Sequence, residues 1–349
     1  MKEGYKILGN YIRLVDERNK NLAVTKLLGV SISKKFIPSI ANIVGTDLSN
    51  YKIVRTGQFA YGPVTSRNGE KISIAYLDEE DCIISSSYTV FEVENKEELD
   101  PEYLMLWFSR PEFDRYARYK SHGSVREIFD WNELCMVELP VPDIEKQRKI
   151  VKAYKTITDR IDLKQKINDN LESMLTAVYF EQFYSSKASE YTKLSDLMVF
   201  GNGKSRPKTN GTIPVYGGNG VLSYTDKYNA ENTVLIGRVG AYCGSVYFEQ
   251  SICWVSDNAI FAKSKITNDE FFNYFLLKGL NLFNHHVGTG QQLLTQDILN
   301  NIEVQKPDIE QIGLFNMKAK SVFETISANK CEIIRLQKLS DLLLARLAS

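Results

Sequence analysis

Gly123–Asp143 reads GSVREIFDWNELCMVELPVPD, and Gly288–Asp308 reads GTGQQLLTQDILNNIEVQKPD. Both run from a glycine to a Pro-Asp pair in the same number of residues, 165 positions apart (Gly123 to Gly288). A weaker echo links YKILGNY from Tyr5 with YTKLSDL from Tyr191. A repeat at a fixed offset makes duplication the first fact about the fold. What lies between the markers, Tyr5 to His122 and Tyr191 to Val287, differs in length and shows little similarity.

After each Pro-Asp comes a long helical pattern. In the first copy Ile150, Tyr154, Ile157, Ile161, Lys164, Asn168, Leu171, Leu175 and Val178 follow a 4-3-4-3 spacing. At the same offset stand Phe315, Ala319, Val322, Ile326, Asn329, Ile333, Leu336, Ser340 and Leu343. Sustained heptad spacing predicts a coiled-coil seam. Neither segment contains proline, and about forty helical residues span roughly 60 Å at ~1.5 Å per residue. A helix that long cannot bury its apolar stripe alone, so the other copy is the expected partner. The long connection allows parallel or antiparallel packing. Lys164, Asn168 and Asn329 place polar breaks in the seam. Such breaks either fix register or are solvated interruptions.

The segments 1–142 and 185–307 therefore read as variable α+β regions, and 143–184 and 308–349 as the helices. β-branched and aromatic runs predict strands at Lys52–Tyr61, Lys71–Leu77 and Cys82–Val93 in the first region, and at Thr233–Arg238, Ser245–Phe248 and Ala259–Ala262 in the second. Short helices are expected at Pro101–Ser109 and Asn268–Leu277.

Composition bounds the rest. The 349 residues are 43% hydrophobic and 25% charged, with formal net charge zero. That is an ordinary globular mixture, sized for about two domains. Neutrality excludes a simple basic coat for nucleic acid, because nonspecific affinity comes mostly from phosphate contacts. It leaves local charge free to act. No run reaches the ~18–20 apolar residues of a membrane span, and the N-terminus has no signal-peptide pattern. The five cysteines are scattered without CxxC spacing, which fits reduced thiols and a cytoplasmic setting.

Motifs that resemble catalysis fail on spacing. Pro142-Asp143 with Asp162-Leu163-Lys164 spells a nuclease pattern, but the acids stand about 28 Å apart along one helix at ~1.5 Å per residue. The second copy lacks the matching acid and lysine. Gly201–Ser205 lacks a phosphate-loop frame, and His285-His286 has no companion ligands. No catalytic or metal residue is assigned. What remains has the character of a recognition surface: Lys34, Lys35, Arg67, Ser124 and Arg126 in the first half, and Lys204, Arg206, Asn219, Arg238, Tyr242, Thr289, Gln291 and Gln292 in the second. Arginine can bond guanine and glutamine can bond adenine through the major groove. For each loop the bland reading is a solvated turn.

The sequences PVPDIEKQRKI from Pro140, QKPDIEQIG from Gln305, IPVYGGNGV, LIGRVGAYCGSV and CWVSDNA together resemble the specificity subunit of type I restriction-modification systems. The resemblance covers essentially the whole chain; Ile312 departs from it where the first copy has Gln147. It implies two target recognition domains and two long helices forming an antiparallel coiled coil, with pseudo-twofold symmetry. It implies a noncatalytic, sequence-specific subunit reading an asymmetric bipartite site in double-stranded DNA. The implied partners are two methyltransferase subunits, which hold S-adenosylmethionine, and two motor-nuclease subunits; no cofactor is expected in this chain. The competing expectation is a noncatalytic coiled-coil scaffold with two protein-binding heads.

Overall fold

The computed structural model describes residues 4–39, 45–66, 68–123, 126–184, 190–268, 270–288 and 290–348. The chain divides into two compact units, Met1–Leu163 with Glu332–Ser349, and Lys164–Cys331. Each unit therefore owns one end of each long helix.

The first unit opens with strands β1 (Tyr5–Ile7), β2 (Ile12–Val15), β3 (Leu28–Val30), β4 (Phe36–Pro38) and β5 (Lys52–Val54). It continues with β6 (Phe59–Tyr61), β7 (Ile74–Tyr76), β8 (Cys82–Ile84) and β9 (Thr89–Val93). Helices α1 (Pro101–Phe108), α2 (Pro111–Tyr119) and α3 (Trp131–Cys135) lead to β10 (Glu138–Pro140) and the long α4 (Ile144–Tyr184). The second unit has β11 (Tyr191–Lys193), α5 (Leu194–Leu197), β12 (Met198–Asn202), β13 (Ile213–Gly217), β14 (Gly220–Thr225) and β15 (Ala230–Gly237). Then come β16 (Val246–Val255), β17 (Ala259–Ser264), α6 (Phe271–Gly279), α7 (Gln296–Asn300), β18 (Glu303–Gln305) and the long α8 (Ile309–Arg346).

The duplication goes deeper than the sequence shows. In the first unit the main sheet runs β2-β9-β6-β7; in the second, β12-β17-β15-β16 heads a six-stranded sheet. In both, these four strands pair antiparallel throughout. The small pair β1-β10 is matched by β11-β18. The dissimilar middles thus share a four-stranded core. They differ in what is added to it: the pairs β3-β4 and β5-β8 in the first unit, the β13-β14 hairpin in the second.

Two expected strands are each broken in two. Arg55-Thr56-Gly57 separates β5 from β6: Gly57 takes a φ of +93°, and Arg55 ion-pairs with both Glu17 and Asp81. Ser85–Tyr88 turns between β8 and β9, with Tyr88 N donating to Ser85 O. Helix α2 was not expected, although Pro111 at its first turn and buried Phe113 and Ala117 mark it.

Each Pro-Asp pair starts a long helix. Asp143 Oδ1 accepts from Lys146 N at 2.9 Å, and Asp308 Oδ1 accepts from Glu310 N at 2.8 Å. A carboxylate there satisfies orphan amides and complements the helix dipole. Asp143 is thereby a helix cap, held at the start of the helix that carries Asp162. Gln147, fully buried, links the same point to α1: its Nε2 donates to Glu98 O and Pro142 O, and its Oε1 accepts from Asp100 N. In the second copy Ile312 fills this place as an apolar core residue.

All eighteen heptad positions are buried or half-buried. In the second unit Lys164 bonds Asn329, and Gln182 bonds Gln311 O. Numbers rise along α4 as they fall along α8, so the packing is antiparallel. In the first unit Arg160 Nε meets Glu332 Oε1 at 2.6 Å, and Val151 shares a core with Leu344 and Leu347. The seam is continuous with the sheet cores. Leu175, Tyr179, Phe315, Ala319 and Phe323 pack with Val234, Ile236, Ile260 and Phe275. Each buried Leu, Ile, Val or Phe among them contributes about 1.5–3 kcal/mol by leaving water. Among the described residues no helix is long and apolar enough to cross a membrane.

Candidate nucleic-acid interface

The start of each repeated segment folds as a loop ahead of α3 or α7, and both copies dock in the same way. In the first unit His122 and Ile128 exchange backbone hydrogen bonds of 3.1 and 2.9 Å; in the second Val287 and Leu293 exchange bonds of 2.9 and 3.0 Å. Each loop then pairs with the segment leaving the central strand. Thr65 N donates to Glu127 O and Phe129 N to Pro63 O; correspondingly, Gly240 N donates to Gln292 O and Leu294 N to Arg238 O. The same two-bond attachment therefore presents Pro63–Thr65 in one unit and Arg238–Gly240 in the other.

The opening glycines have a physical reason. Gly123 has φ +136° and Gly288 φ +93°, where other residues are strained. A Cβ on Gly288 would also stand 2.5 Å from Gln291 O, and one on Gly123 would collide with Arg126 O. The loop can close only around a residue without a side chain.

In the second unit, backbone contacts gather several loops around Arg238. Arg238 N donates to Asn258 O at 3.0 Å. Gly218, at the turn between β13 and β14, lies against Gly237 and Asn258, which brings exposed Asn219 to the same place. Gly203 N donates to Ala259 O and Lys204 N to Val255 O, so exposed Lys204 and Arg206 leave beside the turn between β16 and β17. Tyr242, 50% exposed, follows Gly240. Gln291 is exposed, and Gln292 is half-buried with its carbonyl bonded to Gly240. The structure thus brings together Lys204, Arg206, Asn219, Arg238, Tyr242, Gln291 and Gln292. It adds Asn258, which lies within the CWVSDNA motif but meets Arg238 only through the pairing of β15 with β17.

The first unit is different. Lys35 and Arg126 are exposed. Lys34 is a correction: its ammonium is not a free surface charge. Nζ bonds Asp114 Oδ1 at 2.5 Å and Ile72 O at 3.0 Å, and the Lys34 and Asp114 side chains are each 11% exposed. Burial lowers its pKa, against the opposing pull of Asp114. Lys34 has φ +64° and ties its turn to α2, so it builds the fold. Near the tip, Arg118 pairs with Glu127 and Lys120 with Glu133 at 3.5 Å, and the His122 imidazole lies 3.7 Å from Glu133. Tyr119, 81% exposed at the end of α2, is an addition to the surface. The adjacent basic letters of Arg118 and Lys120 were its only sequence signal. Arg67, Ser124 and Thr289 lie outside the described residues. Among the described residues no group of three or more His, Cys, Asp or Glu could hold a metal ion.

Comparison with known proteins fits this duplicated frame. Residues 31–173 and 187–340 match the model of the type I restriction modification DNA specificity domain. The type I restriction enzyme HindI specificity subunit of Haemophilus influenzae is 24% identical over 158 residues. That match covers 44% of this chain and 34% of the relative, so the chain spans about a third of that protein's length. The crystal structure of a type I restriction-modification system S subunit from M. genitalium superposes with a TM-score of 0.61 at 15% identity, covering 99% of this chain and 96% of that one. At that identity the likeness is one of fold. Because the family model matches both copies of the repeat over most of the chain, the protein belongs to the type I restriction-modification DNA specificity domain family.

Proposed function

We propose that this chain is the DNA-reading subunit of a type I restriction-modification complex and recognises a split, asymmetric site in double-stranded DNA. Segments 1–142 and 185–307 each read one half-site, and the paired helices set the number of unread base pairs between them. The carrying observation is the shared two-bond docking of the tip loops: one attachment, two different presented segments. A common frame with different loops is what two unlike half-sites require.

The chain acts without bond chemistry of its own. Two methyltransferase subunits carry S-adenosylmethionine and receive the flipped adenine, and two motor-nuclease subunits complete the assembly in the cytoplasm. The chain's zero formal charge accords with partners that supply much of the phosphate grip. Direct readout falls to Arg238, Asn219, Tyr242, Gln291 and Gln292 in the second unit. In the first it falls to Arg126, Lys35 and the segments holding Arg67 and Ser124; the segment holding Thr289 joins the second unit's set. Lys204 and Arg206, exposed at the rim, suit phosphates.

The test is to lengthen both helices by one heptad and map methylated adenines in a host that carries the methyltransferase. Both half-sites should persist with a longer spacer. An unchanged spacer overturns the ruler, and absence of any bipartite motif in the wild type overturns the function.

A further inference from the structure

Arg238 is a candidate contact whose backbone is fixed on both sides while its side chain is left without an acceptor among the described residues. Its N–H is held by Asn258 O at 3.0 Å, and its carbonyl accepts from Leu294 N at 2.9 Å and from Cys243 Sγ at 3.4 Å. Gly237 before it leaves no room for a Cβ, which would stand 2.8 Å from Gly218 O. The guanidinium makes no hydrogen bond or ion pair with any described residue, and Nε is withdrawn from water with no partner. Buried donors are satisfied in the great majority of cases, so an orphan at the meeting point of several loops asks what supplies its acceptor.

We propose that Arg238 reads a guanine in the half-site bound by the second unit, an inference that rests on the DNA-reading function above. A phosphate needs only charge and exposure, which Lys204 and Arg206 provide. A guanine needs a planar fork held at a set angle, so that two N–H groups meet O6 and N7 together. Arg238 is half-buried and pinned through its backbone. With Nε enclosed, the two terminal nitrogens form the available fork. The equivalent position in the first unit is Pro63, fixed by the matching bond from Phe129 N. Proline has no donor to offer. The first unit therefore reads no guanine from this point in the frame, and the two half-sites differ in chemistry at the same structural register.

The experiment maps methylated adenines in host cells expressing the full chain, or its Arg238→Ala and Arg238→Lys variants, with the methyltransferase. The wild type should give a bipartite motif with a G·C pair in one half. Arg238→Ala should make that single pair degenerate and lower methylation of the wild-type site about 5- to 150-fold. The other half-site stays intact and serves as the folding control. If Arg238→Ala is silent, Arg238→Lys decides: relaxation at the G·C pair supports the proposal, and silence of both variants overturns it in favour of a folding role. An unchanged motif overturns it. So does relaxation at an A·T pair, or a uniform fall without relaxation, which marks a phosphate contact. A wild type without any bipartite motif overturns the underlying function, and that result appears before any variant is compared.

Discussion

The seam between the long helices contains a buried amide pair whose removal has a calculable effect. Asn329 Nδ2 donates to Asn168 Oδ1 at 2.9 Å, and Lys164 Nζ donates to Asn329 Oδ1 at 2.8 Å. Asn168 is 4% exposed, and its Nδ2 already lacks an acceptor. Asn329→Leu removes two hydrogen bonds, each worth about 1 kcal/mol net, and leaves the whole Asn168 amide buried without a partner, at about 1–3 kcal/mol. The expected destabilisation is about 3–5 kcal/mol. Asn168→Leu strands Asn329 with only Lys164 and should cost less. Replacing both amides removes the orphan, so Asn168→Leu/Asn329→Leu should lie within about 1 kcal/mol of wild type. The cycle thus predicts a coupling of at least ~1.5 kcal/mol. Urea unfolding followed by tryptophan fluorescence measures it. In a Trp107→Phe/Trp131→Phe background, Trp254 is the remaining tryptophan of three and lies in the same unit as the amides. Additivity of the two single changes within ~0.5 kcal/mol would refute the reasoning. The double variant should also lose positional discipline, because leucine layers match one another in several registers. Its methylated sites should then show more than one spacer length.

Gly288→Ala should distort the tip through strain of about 1–3 kcal/mol and blur only the second unit's half-site, with Gly123→Ala doing the same for the first; methylated-site sequencing that shows both motifs intact would count against it. Asp114→Ala strands the Lys34 ammonium and the Ile72 amide, which Asp114 also accepts, and should cost about 3–5 kcal/mol in a denaturant titration. The pair Lys34→Met/Asp114→Leu should recover most of that. Glu172 supplies a pH effect. Burial pushes its pKa up, but hydrogen bonds from Lys278 and Tyr274 outweigh it and leave the net value below the ordinary carboxylate range. Its stabilisation is therefore complete above the unfolded pKa of about 4.3 and is lost as pH falls through the lower folded value. Glu172→Gln should flatten that acid limb, read as melting temperature against pH; an unchanged limb would count against the assignment.

What the sequence disclosed follows from range. The heptads, the Pro-Asp caps and the tip glycines are local signals, and each sits where spacing placed it. The polar breaks at Lys164, Asn168 and Asn329 became one bonded layer only when the chain direction was known. The shared strand order was hidden because strands such as Phe59–Tyr61 and Thr89–Val93 are three to five residues long and pair across almost thirty. So few residues, buried on both faces, carry no alternation to read. Lys34 looked like a surface cation because Asp114, its partner, lies eighty residues on. The gathering of Asn219, Arg238 and Gln292 depends on backbone bonds between distant loops, which leave no mark on residue type.

The division of the chain has a consequence for its synthesis. The core of the first unit includes Leu344 and Leu347 as well as Leu8 and Ile12, whereas the second unit is complete by Cys331. On the ribosome, the domain that emerges first is therefore finished last. At ~5–20 residues per second, it waits some ten seconds or more with the seam of its half of α4 uncovered. During that interval the nascent chain displays an unpaired apolar stripe. A chaperone, or a partner subunit made nearby, has its opportunity to engage the chain then, before the final turns of α8 close the seam.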